Sequence, residues 1–284
     1  SGRSGDGSSG EPGKDGRLML LTAENYHSLE ANQHYMSVSL YKDFCECEAM
    51  AMASIRGDYK RPTSNECLVG SYLHAWNEGP EALAAFRANT PEMFKKNGEP
   101  LAAFAFADTM IQALENDPFC MVMLEGQKEV IKTAEMFGAP WKIKIDSYQP
   151  GESIVDLKTT RSIWEKQWSA FYNCKVSFIE TYQYFIQFAV YLEVERLATG
   201  GDSWLNPYIV AISKETPPDK AVIDLSDGAR ITGELIEIEK RMPRILEVKA
   251  GIAEPKRCGR CAYCRSTSQV TNVISYQELE REAV

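Results

Sequence analysis

Two hydrophobic periods alternate along the chain. From Ser37, SVSLYKDFCECEAMAMASI sets Leu40, Phe44, Cys47 and Ala51 at helical spacing, which predicts one helix with Ser39 as its N-cap. Residues 66–76 (ECLVGSYLHAW) predict a second helix, and the Ala-rich stretch 80–115 predicts helix on both sides of a KKNGEP turn. The period then shortens to two. EVIKTAEMF (129–137), WKIKID (141–146) and SIVDLK (153–158) alternate and are separated by GAP and SYQPGE, which predicts an antiparallel meander. Residues 177–197 predict a long amphipathic helix, 207–213 and 220–224 further strands, and 226–249 a charged helix. Helices flanking a small central mixed β-sheet make an α/β (α+β) fold.

Composition narrows the class. The chain has 284 residues, 44% hydrophobic and 25% charged, which reads as a soluble globular protein with a sizeable core. No stretch approaches the roughly 20 apolar residues of a membrane-spanning helix. The opening SGRSGDGSSGEPGKDG is Gly/Ser-rich and lacks a signal peptide's apolar stretch, so residues 1–16 read as a flexible tail or cloning remnant and 17–284 as a single domain. The net charge of −9 argues against a surface coated in basic charge, while leaving room for a local basic groove and for acids that hold metal ions.

The chemistry concentrates in SIVDLKTT (153–160). Strand alternation puts Ile154, Asp156 and Lys158 on one face and Val155 and Leu157 on the other. In WKIKID, Lys142, Lys144 and Asp146 oppose Trp141, Ile143 and Ile145, and a turn of about six residues brings Asp146 beside Asp156 on the next strand. Two carboxylates suit a hard divalent cation such as Mg²⁺, and an adjacent lysine can orient water and offset charge developing at a phosphate. Taken alone, Asp-x-Lys reads more simply as an ion pair on a solvated sheet face.

The same ambiguity holds elsewhere. His74 reads as a satisfied helix histidine or as a ligand. Glu129 opens the first strand of the meander, and Glu125 and Gln127 compete with it for a ligand role because the register of LEGQKEV is open. Gln187 and Tyr191 stand one helical turn apart, within an aromatic stripe that also suits a core. Arg161 follows the Asp-x-Lys run, and Trp164 and Trp168 follow it in RSIWEKQW, as base-stacking groups or packing anchors. Lys42, Lys60, Arg61, Lys166, Lys256, Arg257 and Arg260 are further candidate cations for nucleic acid.

Eight cysteines without a secretion signal do not imply a disulfide framework. Cys67, Cys120 and Cys174 read as isolated buried thiols. Cys258, Cys261 and Cys264 in CGRCAYC stand too close together for chance and attract soft metals. A zinc ion or an iron–sulfur cluster would each need a fourth ligand.

An acid ending one strand, followed by hydrophobic–Asp–hydrophobic–Lys on the next, resembles the PD-(D/E)XK nuclease superfamily. GSYLHAW with His74, QFAVY with Gln187 and Tyr191, and their order around the strands resemble its RecB-like and RecE-like exonuclease branch, as does the ending KRCGRCAYCRST. The likeness covers about residues 18–275. It implies a restriction-endonuclease-like core and a Mg²⁺- or Mn²⁺-dependent exonuclease that degrades duplex DNA from an end, 5′ to 3′, leaving single strand for recombination. Asp146, Asp156, His74 and Glu129 would hold metal, Lys158 would position water, Gln187 and Tyr191 would bound the site, and Arg161 and Trp164 would meet DNA.

Related nucleases hold a 4Fe–4S cluster with one cysteine before the core and three after it. FCECEA resembles the element carrying the upstream one, so Cys47, rather than Cys45, would join Cys258, Cys261 and Cys264, with Zn²⁺ as the alternative. Such a cluster would staple the two ends of the domain. The likeness further implies a ring-like homo-oligomer, a single-strand annealing protein as partner, and the cytoplasm of a bacterial or phage-infected cell. The rival readings are an endonuclease or single-strand nuclease on the same residues, and a DNA-binding module with a vestigial site.

Overall fold

The structure, a computed structural model, describes residues 19–62, 64–101, 104–169 and 172–279. The tail expected at 1–16 therefore lies outside the described residues. The helices before the sheet are α1 (Leu29–His34), α2 (Val38–Glu46), α3 (Glu48–Arg56), α4 (Asn65–Glu78), α5 (Pro80–Asn89), α6 (Ala105–Glu115) and α7 (Pro118–Met123). Strands β1 (Gln127–Met136), β2 (Ala139–Gln149) and β3 (Ser153–Thr160) form the expected meander. A short hairpin, β4 (Gln167–Ser169) and β5 (Cys174–Val176), leads into α8 (Phe178–Thr181) and α9 (Tyr184–Thr199). Then come β6 (Asn206–Ser213), β7 (Lys220–Asp224), α10 (Gly228–Lys249), α11 (Ala262–Ser266) and α12 (Tyr276–Leu279).

The main sheet runs β1-β2-β3-β6-β7. β3 and β6 are parallel and the other neighbours antiparallel, so the sheet is mixed, as expected. A parallel pair needs a long crossover, which α8 and α9 supply. Both faces are covered. Ile154, Ile209 and Ala211 pack with α2, α9 and α10 on one side, while Val155, Leu157, Val210 and Ile212 pack with α4, α6 and α7 on the other. Central strands buried on both faces explain why SIVDLKTT is almost wholly buried despite its polar residues.

Five expectations need correction. The helix from Ser37 is two helices: Cys47, extended at φ −164°, ends α2 and opens α3. Its N-cap is Ser37, whose Oγ accepts from the Leu40 N–H at 3.3 Å, while Ser39 faces the Ser37 hydroxyl. The helix over 177–197 is also two, broken at Gln183 in the left-handed region (φ 53°). Moreover α9 is not amphipathic: Gln187, Phe188, Ala189 and Val190 are buried in succession, as in a helix enclosed on all sides. Of the three isolated thiols only Cys120 is buried; Cys67 and Cys174 are exposed. No helix among the described residues is long and apolar enough to cross a membrane.

The entry to β1 is set by Gly126, at φ 109°. A Cβ there would stand 2.6 Å from the Tyr148 carbonyl oxygen of β2. Gly126→Ala should therefore lower stability by more than about 1 kcal/mol, read as a reduced denaturation midpoint with an unchanged m-value.

Candidate active site

Asp146 and Asp156 lie one residue beyond the last paired row of β2 and β3, Ser147 with Val155. The pleat is interrupted there. Ile145 and Tyr148, three residues apart, enter the same core, which strict alternation forbids. On the far side of β2, the paired rows step from Lys128–Ser147 to Val130–Ile145 and pass over Glu129, which is in the left-handed region at φ 51°. Both distortions fall on residues expected to do chemistry, where backbone strain tends to collect.

Four elements converge on this opening. α4 brings His74, whose Nδ1 stands 3.2 Å from Asp146 Oδ2. The same oxygen accepts the Leu157 backbone N–H of β3 at 2.9 Å. α9 brings Gln187, whose Nε2 donates to Asp156 Oδ1 at 2.8 Å. Lys158 pairs with Asp156 Oδ2 at 2.5 Å, and its ammonium lies 5.3 Å from the centre of the Tyr184 ring. Apart from this ion pair, Asp156 Oδ2 is a buried oxygen without a hydrogen-bond partner among the described residues. The ligand atoms of His74, Glu129 and Asp146 all lie within 4.8 Å of one another. Glu129 is ion-paired to Lys144, while its rival Glu125 is exposed at the other end of the bend. Tyr191 lines the same cavity, of about 680 Å³, with Lys42 at its rim.

The charges are strongly coupled. Burial would raise the Asp146 carboxyl, but His74, Lys158 and the Leu157 N–H together hold it down at about 2. Burial drives Asp156 the other way, above the ordinary carboxylate value, more than Lys158 can offset, and the Asp146 charge adds to the rise. Burial disfavours the charged forms of His74 and Lys158, yet the two aspartates override it and push both upward. Burial and the neighbouring Lys158 hold Lys42 down at about 8. Tyr191 is pushed well up, by burial first and then by the surrounding negative groups.

A second cavity, of about 600 Å³, shares Ser71, His74 and Lys158 with the first. Arg161, Lys214 and Tyr182 line it. Arg161 is exposed beside Glu165, and Trp164 is 78% exposed with its Nε1 donating to Asp219 at 2.8 Å. Neither touches the carboxylates. Arg61, a candidate cation, instead bridges Asp43 and Glu46 at 2.9 and 3.0 Å.

Residues outside the expected set hold α4 in place. Asn77, one turn beyond His74, donates to Ser147 Oγ at 3.3 Å and accepts from Lys128 at 2.8 Å; Lys128 also donates to Ser147 Oγ at 2.9 Å. The helical spacing of Asn77 from His74 was the available signal.

The four sulfurs of Cys47, Cys258, Cys261 and Cys264 gather within 4.8 Å of one another. Cys45 does not join them; its thiol faces Tyr41 and Arg241. Glu48, the first residue of α3, binds the site's two halves together. It accepts from Arg244 of α10 at 2.8 and 3.1 Å and from the Lys256 backbone N–H at 2.7 Å.

The family model for the PDDEXK-like domain of unknown function (DUF3799) matches residues 37–267. The chain belongs to this family. Among solved structures, this PDDEXK-like chain is similar to a candidate exonuclease from Eubacterium rectale. Sequence identity is 40% and the TM-score 0.87, with 94% of this chain and 100% of that one covered. No curated protein matches. Membership of the PD-(D/E)XK superfamily and the mixed-sheet fold are thus as the motifs implied.

The His74–Asp146 pair gives this PDDEXK-like domain a two-sided pH response when free of metal. Asp146 titrates at about 2 folded against 3.8 unfolded, so its contribution is present above pH 3.8 and lost as pH falls toward 2. The raised His74 contributes fully below 6.5 and loses its contribution as pH rises through the folded value. In EDTA, His74→Ala should cost about 2 kcal/mol between these limits and progressively less on either side, as read from denaturation midpoints across the pH range.

Proposed function

We propose that the chain is a divalent-metal-dependent deoxyribonuclease that hydrolyses duplex DNA from its ends. The observation that carries this reading is the constellation of Asp146, Asp156, Lys158 and His74 on one cavity, with ligand atoms of His74, Glu129 and Asp146 within 4.8 Å of one another. A donor set dominated by carboxylates suits Mg²⁺ or Mn²⁺, and Asp156 Oδ2, held only by the Lys158 ammonium, has lone pairs left for a metal ion. Asp146, Glu129 and His74 would hold the ion, with Asp156 Oδ2 as the further donor. When bound, the ion would supply positive charge at the phosphate and acidify a water for attack.

The protein's own residues account for the rest. The aspartates keep Lys158 protonated, so it donates hydrogen bonds and charge without acting as a base. Set between Asp156 and the cavity, it orients the attacking water and balances charge building on the non-bridging phosphate oxygens. Gln187 fixes the Asp156 carboxylate through its Oδ1, as a positioning residue. The new bond joins water oxygen to phosphorus, and the bond to the leaving sugar oxygen breaks. The second cavity, with Arg161 and Lys214, would carry the strand beyond the scissile phosphate, and the exposed Trp164 would stack on bases near the entry.

End dependence is supported by the similarity to a protein described as a candidate exonuclease. The 5′ to 3′ direction, the supply of single strand to recombination, an annealing partner and a ring-like assembly rest on the RecE-like motifs alone.

Linear 5′-phosphorylated duplex DNA, incubated with Mg²⁺ or Mn²⁺, should be consumed while closed circular duplex survives, and EDTA should stop the reaction. Lys158→Ala should reduce the rate by about 10²–10³-fold. Survival of linear DNA with every metal, by a folded protein, would refute the proposal; nicking of circles would make the chain an endonuclease. Gln187→Ala should cost about 10–100-fold, and Arg161→Ala should raise KM with little change in kcat.

A further inference from the structure

We infer that the four-cysteine site holds a single tetrahedral zinc ion, and that a four-iron cluster does not fit it. Sulfur spacing separates the two. Four thiolates about 2.3 Å from one zinc stand about 3.8 Å apart at the corners of a tetrahedron. Here Cys47 and Cys264 sulfurs are 3.5 Å apart, those of Cys258 and Cys264 are 4.0 Å apart, and none of the four exceeds 4.8 Å from another. A four-iron cubane places each thiolate on a different iron, so its sulfurs must span the width of the cluster as well as the bonds to it. These sulfurs would have to part to admit it.

The surroundings resist that parting. Cys47 belongs to the break between α2 and α3, and the other three to the C-terminal run. Glu48 clamps the two by accepting from Arg244 and from the Lys256 N–H, and the Ala49 N–H donates to the Lys256 carbonyl at 3.0 Å. Cys47 and Cys264 are buried at 3% and 1% exposure, so widening the site would pull packed elements apart.

Within the run, the geometry is that of a chelating knuckle. Gly259 takes φ 77°, a conformation a side chain would strain, and lets Cys261 N–H donate to Cys258 Sγ at 3.3 Å. Cys264 N–H donates likewise to Cys261 Sγ at 3.4 Å. Such donors stabilise thiolate charge: burial would raise the Cys258 thiol, but the backbone N–H donors hold it down at about 6. Four protein ligands close the site to water, so the ion is structural: it joins α3 to the C-terminal run and takes no part in hydrolysis.

The test is metal analysis of the whole chain, purified without oxygen and desalted into metal-free buffer, which washes out a weakly held Mg²⁺ or Mn²⁺ and leaves a thiolate-held ion in place. Zinc at about one per chain, without iron or acid-labile sulfide, is the expected result. Protein produced in cobalt should show thiolate-to-cobalt charge transfer and the intense ligand-field bands of a tetrahedral site. Cys47→Ser should lose the zinc or shift those bands, while Cys45→Ser keeps both. If Cys47→Ser fails to fold, the wild-type cobalt spectrum still reports the thiolate set. Iron with equimolar sulfide would overturn the inference, and so would a folded wild-type chain without bound metal. None of these readouts depends on nuclease activity.

Discussion

Asp146 and Asp156 stand on adjacent strands, almost wholly removed from water, and neither can be ionised there without help. Two like charges in a low-dielectric interior repel, and each also loses its hydration. The surrounding arrangement answers that cost asymmetrically. His74 and the Leu157 N–H bind one oxygen of Asp146 and keep it charged. Asp156 is held by Gln187 and Lys158 and keeps an oxygen without a hydrogen-bond donor. The pair is thus divided into one carboxylate held well down and one pushed up beside the Lys158 ammonium, an asymmetry that the proposed cation-binding role would draw on.

The fold supplies the rigidity this requires. β3 is central, parallel to β6 and covered on both faces, which holds the backbone beneath Asp156 and Lys158 in place. α4 is held against β2 through Asn77, Lys128 and Ser147, which fixes the height of His74 over Asp146. α9 is buried through its middle turns and delivers Gln187 to Asp156 Oδ1. Far from these groups, Glu48 and the four sulfurs close the first helices and the C-terminal run onto each other.

The strands and their acids were legible in the sequence because period-two alternation and the D-x-K spacing are local signals. His74, Gln187 and Cys47 were legible only through resemblance to a family, since each acts with residues far along the chain. The breaks were not legible. SVSLYKDFCECEAMAMASI keeps helical spacing on both sides of Cys47, yet that residue is extended, with its sulfur among those of the C-terminal run. Glu129 could not be separated from Glu125 because its left-handed backbone shifts the register, and no β-propensity encodes that. The network around Asn77 joins residues 51 and 70 positions apart, beyond the reach of any window. The amphipathic reading of α9 failed because covering elements arrive from β1, β2 and α10, which periodicity along one helix does not reveal.

The most direct measurement is anomalous diffraction from crystals soaked in Mn²⁺. The predicted result is a peak bounded by His74, Glu129 and Asp146, within reach of Asp156 Oδ2, and lost in Asp146→Asn. Saturating Mn²⁺ with no peak among these residues would contradict a cation-binding role, and the buried aspartates would then be a structural ion-pair network.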